Sequence, residues 1–268
     1  MMPGSPSAGP RAVTTNQEGI YKDLKSAVRK YMRTQYLRPI ADHTREAFAQ
    51  AVEFVCKFYG DAGRTWNEDH ATHVPYDVIL DSGCGTGEST LNIAKKFPGV
   101  PVIGIDKSAA RLTKAGVAAA NGEEPNAAST LPPNAFLVRA ELLDFWRLAL
   151  EEVRTYRWHI PYHALYYPNP WPKQSEATRR FHLHPIFPTL LQLGDTIELR
   201  TNWEIYALEF AEAARVLQEM TVSDCTPSSR VAKTISSEAF DPERAITAFE
   251  RKYKNARQQL WRVVVSQI

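Results

Sequence analysis

The sequence predicts an α/β fold with a doubly wound, mostly parallel, seven-stranded sheet. Three observations predict it. Short apolar runs alternate with helix-length segments from residue 78 onward. The first run ends in a glycine-rich turn that opens a helix, V-I-L-D-S-G-C-G-T-G-E over 78–88. The second run ends G-I-D, which places Asp106 25 residues after Asp81.

Each element follows in order. Residues 1–19 hold three Pro and three Gly without apolar periodicity and read as a disordered tail. Residues 20–76 form an N-terminal basic and helical segment, and 77–268 the main domain. Ile20, Leu24, Ala27, Val28 and Tyr31 recur at helical spacing, and Pro39 ends that stretch. Its polar positions are Lys22, Lys25, Arg29, Lys30, Arg33 and Arg38. They read as a solvated helix face or as a phosphate-binding arm. A helix follows from about Asp42 to Phe58, and 60–76 is irregular.

Then come a strand at Val78–Asp81, a helix at Glu88–Phe97, a strand at Pro101–Asp106 and a helix at Ala109–Ala120. A loop over 121–134 leads to a strand at Phe136–Val138, a helix at Leu142–Val153 and a strand at His163–Tyr167. Glu176–Gln192 reads as mainly helical, broken or kinked by Pro185 and Pro188. Thr196–Thr201 is a strand and Glu204–Leu217 a helix, with last strands near Met220–Ser223 and Arg262–Val265.

Composition excludes several classes. With 44% apolar and 23% charged residues, wholesale disorder and collagen-like repeats are ruled out. The net charge of +2, from 32 basic and 30 acidic residues, neither requires nor excludes a nucleic-acid partner. No apolar run approaches the ~18 residues that span a bilayer, and the N-terminus lacks a signal-like core. Cys56, Cys84 and Cys225 are too scattered for a disulfide framework and fit a reducing compartment. A cytoplasmic protein without a membrane partner is expected. His182 and His184 would point apart on a helix, and His70 and His73 lie in a polar stretch, so no metal site is expected. Nothing fixes the oligomeric state, and a monomer is favoured.

The glycine turn points to the ligand. Gly83, Gly85 and Gly87 permit positive φ and close approach of a ligand to the backbone around Cys84. The spacing departs from the dinucleotide fingerprint, and Glu88 would oppose a pyrophosphate at the helix start. A carboxylate at Asp81 suits a cation, and S-adenosylmethionine (SAM) carries a sulfonium and an ammonium group. Asp106 can accept hydrogen bonds from both ribose hydroxyls, with Lys107 beside it. Glu141 reads either as a contact near the adenine edge or as a solvated helix-start carboxylate. SAM is the expected cofactor.

At the fourth strand's end stands Y-Y-P-N-P-W-P-K, 166–173, a proline-stiffened loop over the cofactor crevice. Pro168 and Asn169 are expected to border the cofactor. Thr201-Asn202-Trp203-Glu204 with Tyr206 follows at the next strand, and Thr247-Ala248-Phe249-Glu250 stands near the C-terminus.

From Asp81 to Val265 these motifs resemble the bacterial tRNA (guanine-N7)-methyltransferase family. The resemblance implies a Rossmann-like, class I SAM-dependent methyltransferase fold with a final antiparallel strand, and tRNA as partner. It implies cofactor contacts from Asp81, Asp106 and Glu141. On the substrate side it implies contacts from Lys173, Arg180, Asn202, Tyr206, Thr247, Phe249 and Glu250. Asn169 stands where the family has a catalytic Asp, and Asn202 where it has a second Asp. The departures fall on the acceptor side, while the cofactor positions stay acidic, so methyl transfer to N7 of a tRNA guanine stands beside two alternatives: a different acceptor, a small molecule or an exocyclic amine, and a weakly active RNA-binding relative. Asn169-Pro170-Trp171 is also similar to the Asn-Pro-Pro-aromatic loop of amino-group methyltransferases, without its second proline.

Overall fold

A computed structural model describes residues 12–60, 74–114, 131–224 and 233–267. The chain runs α1 (Leu24–Met32), α2 (Asp42–Phe58), β1 (Tyr76–Asp77), β2 (Ile79–Ser82), α3 (Glu88–Lys96), β3 (Val102–Asp106) and α4 (Ala109–Lys114). It continues β4 (Ala135–Arg139), α5 (Leu142–Arg154), β5 (Trp158–His159), β6 (Tyr162–Tyr166), α6 (Phe187–Gln192), β7 (Thr196–Thr201) and α7 (Glu204–Asp224). The last elements are β8 (Lys233–Phe240), α8 (Ala248–Asn255) and β9 (Leu260–Gln267).

Seven strands form the main sheet in the order β4-β3-β2-β6-β7-β9-β8. The five from β4 to β7 pair in parallel, and β9 runs antiparallel to both its neighbours. The strand order reverses beside β2, and in such sheets ligands bind outside the carboxyl ends of the strands there. Every residue of β2 and β3 is buried, because helices cover both sheet faces. Gly104 lets α3 lie against β3: a Cβ there would come within 2.3 Å of Thr90 Oγ1 and 2.4 Å of Leu137 Cδ2. Leu24 and Val28 of α1 and Phe48 and Val55 of α2 share one core with Trp146, Leu165 and Phe210. Phe48 meets Phe145 edge-on, ring centres 4.9 Å apart.

The doubly wound, seven-stranded prediction holds, and β9 is the expected antiparallel strand. Several elements differ. Met220–Ser223 is no strand; it continues α7 to Asp224, helix propagation overriding two β-branched residues. The missing strand is β8, an edge strand with little apolar patterning in K-T-I-S-S-E. Glu176–Gln192 is two 3-10 turns, Gln174–Arg179 and Phe181–Leu183, followed by α6. Pro188 fits the first turn of α6, where its missing N–H costs nothing. The sequence reading missed α8 and the two-stranded parallel pair of β1 with β5. Most of the 121–134 loop, the end of the Ala109–Ala120 helix, His70, His73, Trp66 and Cys225 lie outside the described residues.

Residues 12–19 are not a disordered tail. Gln17 is buried, and Thr15 Oγ1 donates to Pro172 O at 2.6 Å. The segment gave no apolar period to read, because it docks through hydrogen bonds and a single apolar side chain, Val13. Residues 1–11 lie outside the described residues.

Candidate active site

Two buried carboxylates bracket the glycine turn. Asp81, in β2, accepts hydrogen bonds at its Oδ2 from Ser89 Oγ and Thr90 Oγ1, each at 2.6 Å. Both hydroxyls sit in the first turn of α3. Burial pushes the Asp81 carboxyl up to about 6; the two hydroxyls pull against that rise, and the Asp106 charge adds to it. Asp106 ends β3. Its Oδ2 accepts from Gly85 N–H at 3.0 Å, and its Oδ1 from Ser108 N–H at 2.8 Å and Arg111 at 3.1 Å. Between the carboxylates, Gly83, Gly85 and Gly87 have φ of 82°, 61° and 78°. A Cβ on Gly83 or Gly85 would meet nothing within 4 Å, so this stretch of backbone is open to a ligand. The Cys84 thiol is buried and pushed well up by burial and by both carboxylates, which keeps it protonated. Lys107 is exposed, and Glu141 is half-buried at the N-cap of α5.

The next loop follows β6, which pairs in parallel with β2, so it leaves the sheet at the same edge as the glycine turn. Tyr167 and Trp171 hold φ of 52° and 45°, left-handed conformations that side-chain-bearing residues adopt only under constraint. Asn169 lies exposed between them, and its Oδ1 accepts from Trp171 N–H at 3.3 Å. The Arg179 guanidinium lies 4.6 Å from the Trp171 ring centre. Lys173 is exposed. Asn202, following β7, donates through Nδ2 to Gln258 Oε1 at 3.1 Å. Pro168 is half-buried at the loop's start.

Four residues expected to touch substrate are built into the framework instead. Arg180 is fully buried, and its guanidinium bonds Glu209, Gln17 and the backbone oxygens of Pro170 and Trp171. Tyr206 is fully buried edge-on to His182. Glu250 is fully buried and accepts from Tyr167 OH at 2.8 Å, Arg200 at 2.9 Å and Ile246 N–H at 2.6 Å. Thr247 caps α8, its Oγ1 accepting from Glu250 N–H at 2.9 Å. A motif position gives no information about which way its side chain turns, and these turn inward. Phe249 is the member of this box that faces outward; it is half-exposed and stacks on Tyr253, which packs in turn against Tyr167. Arg251 pairs with Glu88, and Asn92 donates to Ile246 O at 3.0 Å, so the box is tied to α3.

Sequence reasoning missed Gln17 and Glu209. Glu209 had a legible signal, a carboxylate set among the apolar residues Tyr206, Phe210 and Ala213 of one helix. Gln17 had none. Trp203 is buried with the Arg180 guanidinium 4.7 Å from its ring centre, so it supports the site from beneath. His182 is buried against Glu209. Among the described residues no cluster of three or more metal-type ligands occurs, and no helix is long and apolar enough to cross a membrane.

The strand order, the acidic residues on β2 and β3 and the glycine turn between them define a Rossmann-like fold of the methyltransferase type. The chain belongs to the family described as putative methyltransferase, which matches residues 76–263. It is 30% identical over 192 residues to the tRNA (guanine-N(7)-)-methyltransferase of Mycolicibacterium gilvum, a match covering 67% of this chain and 63% of that protein. It is 28% identical over 202 residues to the protein of the same name from Acidithiobacillus ferrooxidans, covering 72% and 75%. The solved 16S rRNA methyltransferase KamB aligns at 14% identity and a TM-score of 0.46, covering 86% of this chain and 95% of that one.

Proposed function

We propose that this chain is a SAM-dependent methyltransferase acting on N7 of a guanine in tRNA. The observation that carries the reading is the pair of buried carboxylates, Asp81 and Asp106, flanking an open glycine turn and facing a stiffened loop at the end of β6. The residues present fit the cofactor. Asp81 bonds two neutral hydroxyls rather than a cation, and its raised pKa marks a charge that a cationic partner would stabilise. Asp106 accepts ribose hydroxyls, the turn from Gly83 to Gly87 takes the amino-acid part, and Glu141 and Lys107 border the adenosine. Relatives carrying the guanine-N7 name support the acceptor.

SAM supplies an electrophilic methyl group. N7 of guanine offers a lone pair and loses no proton on methylation, so the protein's task is alignment rather than proton removal. Asn169 presents an amide, both donor and acceptor, to a guanine edge. A carboxylate there would also stabilise the cationic product; losing such an interaction costs about 2–4 kcal/mol of transition-state stabilisation. Lys173, Phe249, Asn202 and the exposed basic side chains of α1 supply phosphate and base contacts.

The test is purified protein, radiolabelled SAM and unmodified tRNA, followed by nucleoside analysis. N7-methylguanosine at one position is expected. SAM binding without product overturns the acceptor. A methylated exocyclic amine supports the second reading, which the exposed Asn169 beside Trp171 favours.

A further inference from the structure

The acceptor loop is held by a segment far from it in sequence. Arg180 donates from Nε to Pro170 O and Trp171 O, each at 3.2 Å, and from Nη2 to Trp171 O at 2.8 Å. These bonds fix the backbone at one of the loop's two left-handed residues. The guanidinium is aimed in turn by Glu209 Oε2 at 2.7 Å and Gln17 Oε1 at 3.0 Å. Gln17 Nε2 donates to Glu209 Oε1 at 2.6 Å, and Tyr21 N–H reaches the same oxygen at 2.7 Å. His182 Nε2 lies 2.8 Å from Glu209 Oε2; the carboxylate only accepts, so the imidazole donates. Two direct bonds complete the attachment: Thr15 Oγ1 to Pro172 O at 2.6 Å, and Gln174 N–H to Asn16 Oδ1 at 3.1 Å.

A buried Arg–Glu pair is stabilising only when its remaining donors and acceptors are satisfied. Gln17 does that for both partners at once, since its amide accepts from one and donates to the other. Left-handed conformations at Tyr167 and Trp171 persist only where the surroundings over-determine them. On one side of Asn169 that constraint comes from Tyr167 N–H to Arg200 O at 2.7 Å and from the Tyr167–Glu250 bond. On the other side it comes from Arg180, and Arg180 depends on residues 15–21.

We propose that residues 15–21 form a strap that positions the acceptor loop, with Gln17 a positioning residue acting through Arg180 and Glu209 on Asn169. The proposal rests on the reading of 168–173 as the acceptor loop. The strap leads straight into the basic helix α1, so the segment that sets the loop also carries the cationic face.

Gln17→Ala and Thr15→Ala test it in the full-length chain; Thr15 is half-buried and its hydroxyl bonds only Pro172 O and Gln17 N–H, outside the buried Arg180–Glu209 network, so its loss leaves that network intact. Amide hydrogen exchange at Trp171 and Gln174, whose N–H groups are hydrogen-bonded in the loop, is expected to quicken about tenfold in Gln17→Ala, and less in Thr15→Ala, with 79–90 unchanged. Turnover on tRNA is expected to fall roughly tenfold or more, with the acceptor KM and the SAM affinity within about twofold of wild type. Unchanged loop exchange in both variants overturns the strap. Quickened exchange with unchanged turnover overturns the positioning role. If wild type makes no N7-methylguanosine while exchange responds as expected, the acceptor reading fails and the strap stands.

Discussion

The cofactor half and the acceptor half of the site are built on opposite plans. Around the glycine turn, Asp81, Ser89, Thr90, Gly85 and Asp106 lie within 25 residues of one another and bond locally. Around the acceptor loop, the partners come from positions 15–21, 200, 209 and 250. Each half contains a buried carboxylate, and their environments have opposite sign. Asp81 is left short of positive charge and sits at about 6. For Glu209, burial alone would raise the carboxyl, but His182, Arg180 and Gln17 outweigh it and hold it down at about 2. A ligand site keeps an electrostatic deficit for its ligand to fill. A brace spends its charges on itself.

Removing one carboxylate at a time sharpens this contrast. Glu209→Ala leaves Arg180 buried and unpaired and is expected to destabilise the protein by ~3–5 kcal/mol, seen as a lower denaturant midpoint. Asp81→Asn keeps the shape and an acceptor for the two hydroxyls, and is expected to stabilise the free protein by about 2–3 kcal/mol at pH 8 while weakening SAM binding at least ~100-fold. The pH profiles should differ in sign. Folded Asp81 keeps its proton up to about 6 against 3.8 for an unperturbed carboxyl, so its contribution to stability falls as pH rises between those values. Glu209 stabilises above its ordinary 4.5 and loses that contribution as pH falls toward about 2. Denaturation midpoints of the two variants from pH 3 to 8 check both slopes; a destabilised Asp81→Asn at pH 8 breaks the comparison.

Gly104→Ala pushes on Thr90, and through it on Asp81. A loss of ~1–3 kcal/mol is expected together with weaker SAM binding, measured by thermal melts and calorimetry. Asn169→Asp is the smallest change. It restores a carboxylate beside the acceptor and should raise guanine methylation up to about tenfold in initial rate, without moving the melting temperature. No gain would mean that the amide is the fitted group.

The same contrast explains what the sequence made legible. The cofactor half is a run of short-range constraints, so D-S-G-C-G-T-G and G-I-D announced their geometry directly. The acceptor half was legible as loops and not as orientations. Asn169 and Lys173 are exposed, whereas Arg180, Tyr206 and Glu250, from equally suggestive motifs, turn into the core. Only partners distant in the chain, 163 positions for Arg180 with Gln17 and 83 for Glu250 with Tyr167, or a helix register as specific as that of Glu209, decide between the two. β8 escaped detection for a related reason: an edge strand facing solvent carries little apolar alternation. Residues 12–19 escaped because one apolar side chain, Val13, and several polar ones attach them, which leaves no period to read.

The place of β9 between β7 and β8 has a consequence for synthesis on the ribosome. β7 pairs on its outer side with β9, and β8 meets the sheet only through it. A nascent chain that has already laid down β2, β3, β4, β6 and β7 therefore keeps an open strand edge until residues 260–267 emerge. During that interval β7 is a template for pairing with another nascent chain. Aggregation in the cell should accordingly respond to the speed of translation across 202–260 more than to any change in the finished sheet.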